Sequence, residues 1–200
     1  PSGKNGQVVV GVHIADVTHY VHLDDIIEQE AVSRATSVYL VDRTIPMLPE
    51  RLCNKVCSLR PDEEKLCYSV MFEMDDNAKV LNYQIVHTVI KSDRRFTYED
   101  AQSVIETKQG DMKDEILTLD RLAKQLREKR FKEGAIAFER TEVRFEIDET
   151  GKPIDVYFKE SKDANKLIEE FMLLANKYVA EFIATEGKMD GKAHAKAKTF

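Results

Sequence analysis

Several groups of residues in this chain have the types and spacing that chemistry requires. His13, Asp16, His19 and His22 recur every third residue, and imidazoles with a carboxylate are standard ligands for a divalent ion. Their spacing matches no zinc signature, and a strand that carries His13 does not extend to His19, so structural roles are the plainer reading. Cys53 and Cys57 stand four apart without a second pair, which fits small buried residues better than ligands. Glu169 and Glu170 lie side by side in a long amphipathic stretch. A carboxylate there is either simply solvated or projects into a site, where it can help a water or an ion. Tyr39 and Phe138 are core aromatics or, alternatively, platforms for bases, each stack being worth about 1–3 kcal/mol. Arg34, Arg43, Arg60, Arg94 and Arg95 are candidate phosphate contacts that are scattered as solvated arginines usually are. Nucleophile elbows, phosphate-binding glycine loops and dinucleotide fingerprints are all missing.

The elements that must position these groups follow from periodicity and turn chemistry. Gln7 to Ile14 is β-branched and apolar, a strand that follows the hairpin-like turn Ser2-Gly3-Lys4-Asn5-Gly6. Leu23 to Thr36 has helical spacing with acids in its first turn. Ser37 to Val41 reads as a short strand, Arg43 to Pro49 as an ordered loop broken by two prolines, and Glu50 to Val56 as a short helix. Leu66 to Met74 and Lys79 to Ile90 alternate around Asp75-Asp76-Asn77, the clearest hairpin of the chain. Thr97 with Asp100 resembles a capping box and opens a helix to about residue 106. An apolar stripe predicts a second helix from about Met112 to Phe131, and Glu142–Ile147 with Pro153–Lys159 predicts a second hairpin. A last helix, about Ala164 to Thr185, places Leu167, Ile168, Phe171, Met172, Ala175, Tyr178 and Phe182 on one broad face. Hairpins interspersed with helices, without strict strand–helix alternation, predict an α+β class of mixed, largely antiparallel sheets packed by several helices. The expected organisation is one domain over residues 1–186 with a Lys-rich linker or tail over 187–200.

Composition limits the function classes. The 200 residues are 42% hydrophobic and 33% charged, an ordinary globular balance with enough length for a sizeable core. No apolar run approaches the roughly 20 residues needed to cross a bilayer, and the N-terminal residues are polar. Three cysteines fit a reducing cytosol rather than a disulfide scaffold. With 36 acidic against 30 basic residues and a net charge of −6, a nucleic-acid partner requires a local basic patch or other parts of the protein. The opening on Pro1 and the ending at Thr199-Phe200 read as a piece of something longer.

Several segments together resemble the catalytic domain of the ribonuclease II / ribonuclease R family. They are Val10-Gly11-Val12-His13-Ile14-Ala15-Asp16-Val17, Arg34-Ala35-Thr36-Ser37-Val38-Tyr39-Leu40, Ile45-Pro46-Met47-Leu48-Pro49, Gly134-Ala135-Ile136-Ala137-Phe138, and Ala164 through Asn176. They keep the family's order over about residues 7 to 186, nearest to its bacterial ribonuclease R branch, with the exosome-associated eukaryotic branch next. The resemblance implies a processive, hydrolytic 3′-to-5′ exoribonuclease that releases nucleoside monophosphates with Mg²⁺ from the 3′ end of single-stranded RNA in the cytoplasm. It implies that Tyr39 stacks on the terminal nucleotide and sets the final product length, with Phe138 on the other side of that stack. Glu169 corresponds to the acidic residue near the reacting end, with Glu170 as the alternative register. Asp16 supports the site from behind, and His13 is structural. The family's metal-binding D-x5-D-x-D-D aspartates lie upstream of the strand around His13, and these 200 residues do not contain that pattern. No metal ligand is therefore assigned here, and the isolated chain is expected to be inactive. The family's catalytic arginine segment and its flanking OB-type RNA-binding domains are likewise expected outside this sequence. The alternatives are a non-catalytic RNA-binding or protein-docking scaffold of the same fold, and a different metal enzyme using His13, Asp16 and His19.

Overall fold

A computed structural model of the chain describes residues 7–136, 142–150 and 152–189. Its largest sheet has three antiparallel strands: β1 (Val8–Ala15), β4 (Glu64–Met74) and β5 (Val80–Lys91), with β4 in the middle. The register sets Val10 opposite Phe72 and Val12 opposite Val70, with Phe72 in turn opposite Tyr83. One face of all three strands is therefore apolar. Asp75 makes the tight β4–β5 turn, its Oδ1 accepting from the backbone N–H groups of Asn77 and Lys79 at 2.8 and 2.9 Å.

Two long helices cover that face. α3 (Lys113–Lys132) contributes Leu122 and Ala123, and α4 (Asp163–Met189) contributes Leu167, Phe171 and Ala175. Tyr178 of α4 packs edge-on against Phe72 and Tyr83, with ring centroids at 5.3 and 4.8 Å. α2 (Tyr98–Thr107) closes the bundle through a second cluster of Val104, Ile105, Ile116 and Ala164. Its first turn is capped as the sequence predicts, the Asp100 N–H donating to Thr97 Oγ1 at 3.0 Å. The class is α+β, as expected.

Between β1 and β4 the chain builds a smaller outlying unit. It contains α1 (Ile26–Arg34), the two-stranded ribbon β2 (Val38–Tyr39) and β3 (Thr44–Ile45), and a short π-helical turn Leu52–Val56. The hairpin β6 (Glu142–Ile147) and β7 (Pro153–Lys159) forms a third sheet.

The departures from expectation have local causes. α1 begins at Ile26 rather than Leu23 because the Asp25 carboxylate caps it, accepting from the Glu28 N–H at 2.7 Å. None of its residues is buried. Thr44–Ile45 is a strand inside the expected loop: both residues are β-branched, and Pro46 holds Ile45 extended. α4 runs four residues past Thr185, to Met189. Ile168 and Phe182 stay exposed, so its buried stripe is narrower than the apolar face in the sequence. The expected turn at residues 2–6 and the tail beyond Met189 lie outside the described residues.

Leu122 is completely buried at the junction of α3, α4 and the sheet. Its replacement by alanine is expected to lower stability by about 2–5 kcal/mol in urea melts, whereas Ile168→Ala should stay within about 0.5 kcal/mol of the parent.

Candidate functional site

Two adjacent carboxylates on α4 end up in opposite environments. Glu170 is 3% exposed and points into the α3–α4 seam. There Arg130 forks onto it, Nε donating to Oε2 at 3.1 Å and Nη2 donating to Oε1 at 2.5 Å. A second guanidinium, that of Arg127, stands 3.7 Å away. This bidentate contact, together with the charges of both glutamates, raises the Arg130 pKa against the opposing effect of burial. Glu169, one residue earlier and about 100° around the helix, has a side chain 51% exposed and meets Arg130 Nη2 only at 3.7 Å. Glu170 is thus locked into the seam, whereas Glu169 stands half exposed at its edge.

The rest of the seam is equally paired. Lys124 bridges Asp120 of α3 and Asp163 of α4 at 2.8 and 2.9 Å, and these hydrogen bonds raise its pKa. Arg127 and Arg130 both lie against the Phe131 ring, at 4.9 and 5.0 Å from its centroid.

Asp16 anchors a separate network at the end of β1. Its carboxylate accepts from Thr18 Oγ1 at 2.6 Å and from His87 Nδ1 of β5 at 3.1 Å. The Thr18 hydroxyl is the largest influence holding its pKa below the usual carboxylate range. The His87 ring stands edge-on to Tyr68, with centroids 4.2 Å apart. His13 turns elsewhere: its Nδ1 shares a hydrogen bond with Ser69 Oγ at 2.7 Å, and Ser69 Oγ shares another with Thr88 Oγ1 at 2.5 Å. The ring lies over Gly11, where a Cβ would collide with His13 Nε2 and the ring would have to shift. His19 packs against Tyr20. His13, Asp16 and His19 therefore do not converge, and among the described residues no group of three or more His, Cys, Asp or Glu side chains is placed to hold an ion. The D-x5-D-x-D-D pattern is also missing from the sequence.

Tyr39 projects from the β2–β3 ribbon with 79% of its surface exposed, an aromatic face free for a planar partner. Its cross-strand neighbour is Thr44. Phe138 lies outside the described residues. Glu169 and Glu170 share one arginine, whereas Asp16 and Tyr39 sit in two other clusters. Arg130, Arg127 and His87 escaped the sequence reading. The only available sign was that the two arginines are three apart beside the apolar stripe of α3, which puts them on one helix face.

Comparison with known proteins places these features in a family context. The profile of the RNB domain matches residues 1–190. DIS3-like exonuclease 2 of Schizosaccharomyces pombe is 46% identical over 196 residues, covering 90% of this chain and 21% of that protein. Ribonuclease R of Thermotoga maritima is 43% identical over 189 residues, covering 92% of this chain and 27% of that protein. Mycoplasma genitalium RNase R, solved in complex with double-stranded RNA, superposes with a TM-score of 0.83 at 29% identity, over 89% of this chain and 33% of that one. The chain spans between a fifth and just over a quarter of the length of the two curated relatives.

Two outcomes follow from the paired charges. Arg130→Met strands a buried carboxylate and is expected to lower stability by about 3 kcal/mol in urea melts, Arg127 offsetting part of the loss, whereas Glu169→Gln should change it by less than about 0.5 kcal/mol. The depressed Asp16 pKa means that the native state binds the proton less readily than the unfolded chain does. Its contribution is complete above the unfolded carboxylate pKa and is lost as pH falls through the folded one. Urea midpoints followed downward from pH 5 should therefore fall less steeply in Asp16→Asn than in the parent.

Proposed function

The chain belongs to the RNB-domain family, and on that footing we propose that it is part of a processive 3′-to-5′ exoribonuclease that hydrolyses RNA to nucleoside 5′-monophosphates. The observation that carries the reading is the RNB match over residues 1–190, together with more than 40% identity to proteins named as an exonuclease and a ribonuclease. The domain occupies residues 1–186, with α4 running on to Met189 into the Lys-rich linker or tail of residues 187–200. The substrate is the 3′ end of single-stranded RNA, and the whole protein works in the cytoplasm with OB-type RNA-binding domains flanking this unit. Among the described residues no helix is long and apolar enough to cross a membrane.

Within this scheme the chain's own residues bind and orient. Tyr39 offers its exposed ring to the base at the RNA end, and Phe138 closes the stack from the other side. Stacking suits an enzyme indifferent to sequence, because every base has a π-face. Glu169 is the open acid near the reacting phosphodiester, where its carboxylate accepts a hydrogen bond from the attacking water and holds it in line. Glu170, locked to Arg130, sets the place of Glu169 along α4. Asp16, tied to Thr18 and His87, stiffens the end of β1 behind the site. Aspartates of the whole protein outside these 200 residues would hold Mg²⁺, which would supply the charge that lowers the water's pKa and steadies the leaving oxygen. The net charge of −6 agrees with this division, since bulk phosphate neutralisation falls to other parts of the protein.

The test uses 5′-labelled RNA with a 3′ tail and the full-length protein. With Mg²⁺ the label should shorten to a small limit product with release of mononucleotides, EDTA should stop it, and this chain alone should leave the RNA intact. RNA that is bound but uncut by the full-length protein would instead indicate a non-catalytic scaffold. Tyr39→Ala is expected to lengthen the limit product and weaken binding of short RNA about 5- to 100-fold, the loss of one base stack.

A further inference from the structure

The ribbon that carries Tyr39 is too small to hold itself in place. It pairs only Val38 with Ile45 and Tyr39 with Thr44, and an isolated two-stranded hairpin is marginal in water. The Leu40 N–H closes its turn by donating to the Arg43 carbonyl at 2.8 Å. The Met47 N–H donates to Ser37 Oγ at 2.9 Å, which ties the two flanks of the ribbon to each other but not to the rest of the fold. Tyr39, Leu40, Val41 and Ile45 are all exposed, so burial adds little.

One side chain reaches across from a regular element. Arg34, the last residue of α1, donates from Nη1 to the Pro46 carbonyl at 3.2 Å, directly after β3. Its Nε donates to Glu30 Oε1 at 2.8 Å, one turn back along the helix, which aims the guanidinium at the ribbon. Among the described residues no other hydrogen bond joins α1 to residues 38–47. Between the helix and Tyr39 the backbone turns through Ala35, at φ 60°, a left-handed conformation that a residue with a Cβ adopts reluctantly. The staple therefore spans a strained reversal, and the geometry points to Arg34 as a positioning residue: oriented by Glu30 and bonded to the Pro46 carbonyl, it holds the ribbon so that Tyr39 presents a fixed face to the RNA end. The inference rests on the stacking role proposed for Tyr39 and adds the residue that makes that role possible.

The experiment measures limit-product length, KM and kcat on short 3′-tailed RNA with the full-length protein. The variants are Arg34→Ala, Arg34→Lys, Glu30→Ala, Tyr39→Ala and the Arg34→Ala/Tyr39→Ala pair. Arg34→Ala should raise KM about 2- to 10-fold, the worth of one hydrogen bond, with kcat on long RNA held. It should also lengthen the limit product in the direction of Tyr39→Ala but by less. Arg34→Lys should recover only part of the loss, because an ammonium lacks the fork that meets both acceptors. Glu30→Ala should act in the same direction, more weakly. In the Tyr39→Ala background Arg34→Ala should add nothing, a dependence that general destabilisation would not produce. An additive effect in the double variant overturns the inference. So does tighter RNA binding by Glu30→Ala, which would mean that Glu30 had been competing with phosphate for Arg34. If Tyr39→Ala lengthens the product and Arg34→Ala does not, the positioning role alone falls. If Tyr39→Ala itself leaves the product unchanged, the stacking reading falls and takes this role with it.

Discussion

Burying one carboxylate between two helices dictates much of what surrounds it. Glu170 has no water to solvate it, so the fold must bring an arginine to it, and the planar fork of Arg130 meets both of its oxygens. That contact joins a residue near the end of α3 to one in the first third of α4, forty positions apart. Four residues after Arg130, Gly134 takes φ 101°, a conformation suited to glycine, and the chain leaves α3. The chain thus leaves α3 close to the ion pair, and Glu169 stands on the same stretch of α4. A buried charge pair of this kind is a poor source of net stability, since well-packed apolar residues can do as well. Its value here is geometric, because it admits one relation between the two helices and penalises the rest.

Much of the framework was legible from local chemistry. The β4–β5 hairpin announced itself by alternation around Asp75-Asp76-Asn77, α2 by Thr97 and Asp100, and α3 by its apolar stripe, because in each the determining contacts lie within a few residues. The elements that departed are those with little sequence of their own. A two-residue strand such as Thr44–Ile45 has no period to detect, and where α1 begins turned on a single cap by Asp25. The outer edge of the apolar face on α4 was overread, since Ile168 is as hydrophobic as its neighbours and only the position of the sheet leaves it outside.

The site was less legible, for a different reason. Glu169 and Glu170 are chemically identical and adjacent, and nothing within a helical turn tells them apart. What separates them is Arg130, brought near by tertiary packing. The histidine series, for which structural roles were already the plainer reading, finds separate partners: His13 bonds to Ser69 across the sheet, and Asp16 bonds to Thr18 two residues along the chain and to His87 on β5. The segments quoted for the family resemblance hold up as a set, and they span both the helices packed on the sheet and the small ribbon bearing Tyr39.

The central claim is that this unit receives the 3′ end of RNA, with Tyr39 against the terminal nucleotide. It is tested most directly by photocrosslinking the full-length protein, under conditions that block cleavage, to RNAs carrying 4-thiouridine at single known positions, and then mapping the attached peptides. The account predicts that the peptide containing Tyr39 is labelled from the 3′-terminal nucleotides and loses that label as the probe moves toward the 5′ end. Labelling of that peptide from 5′ or internal positions alone would contradict it.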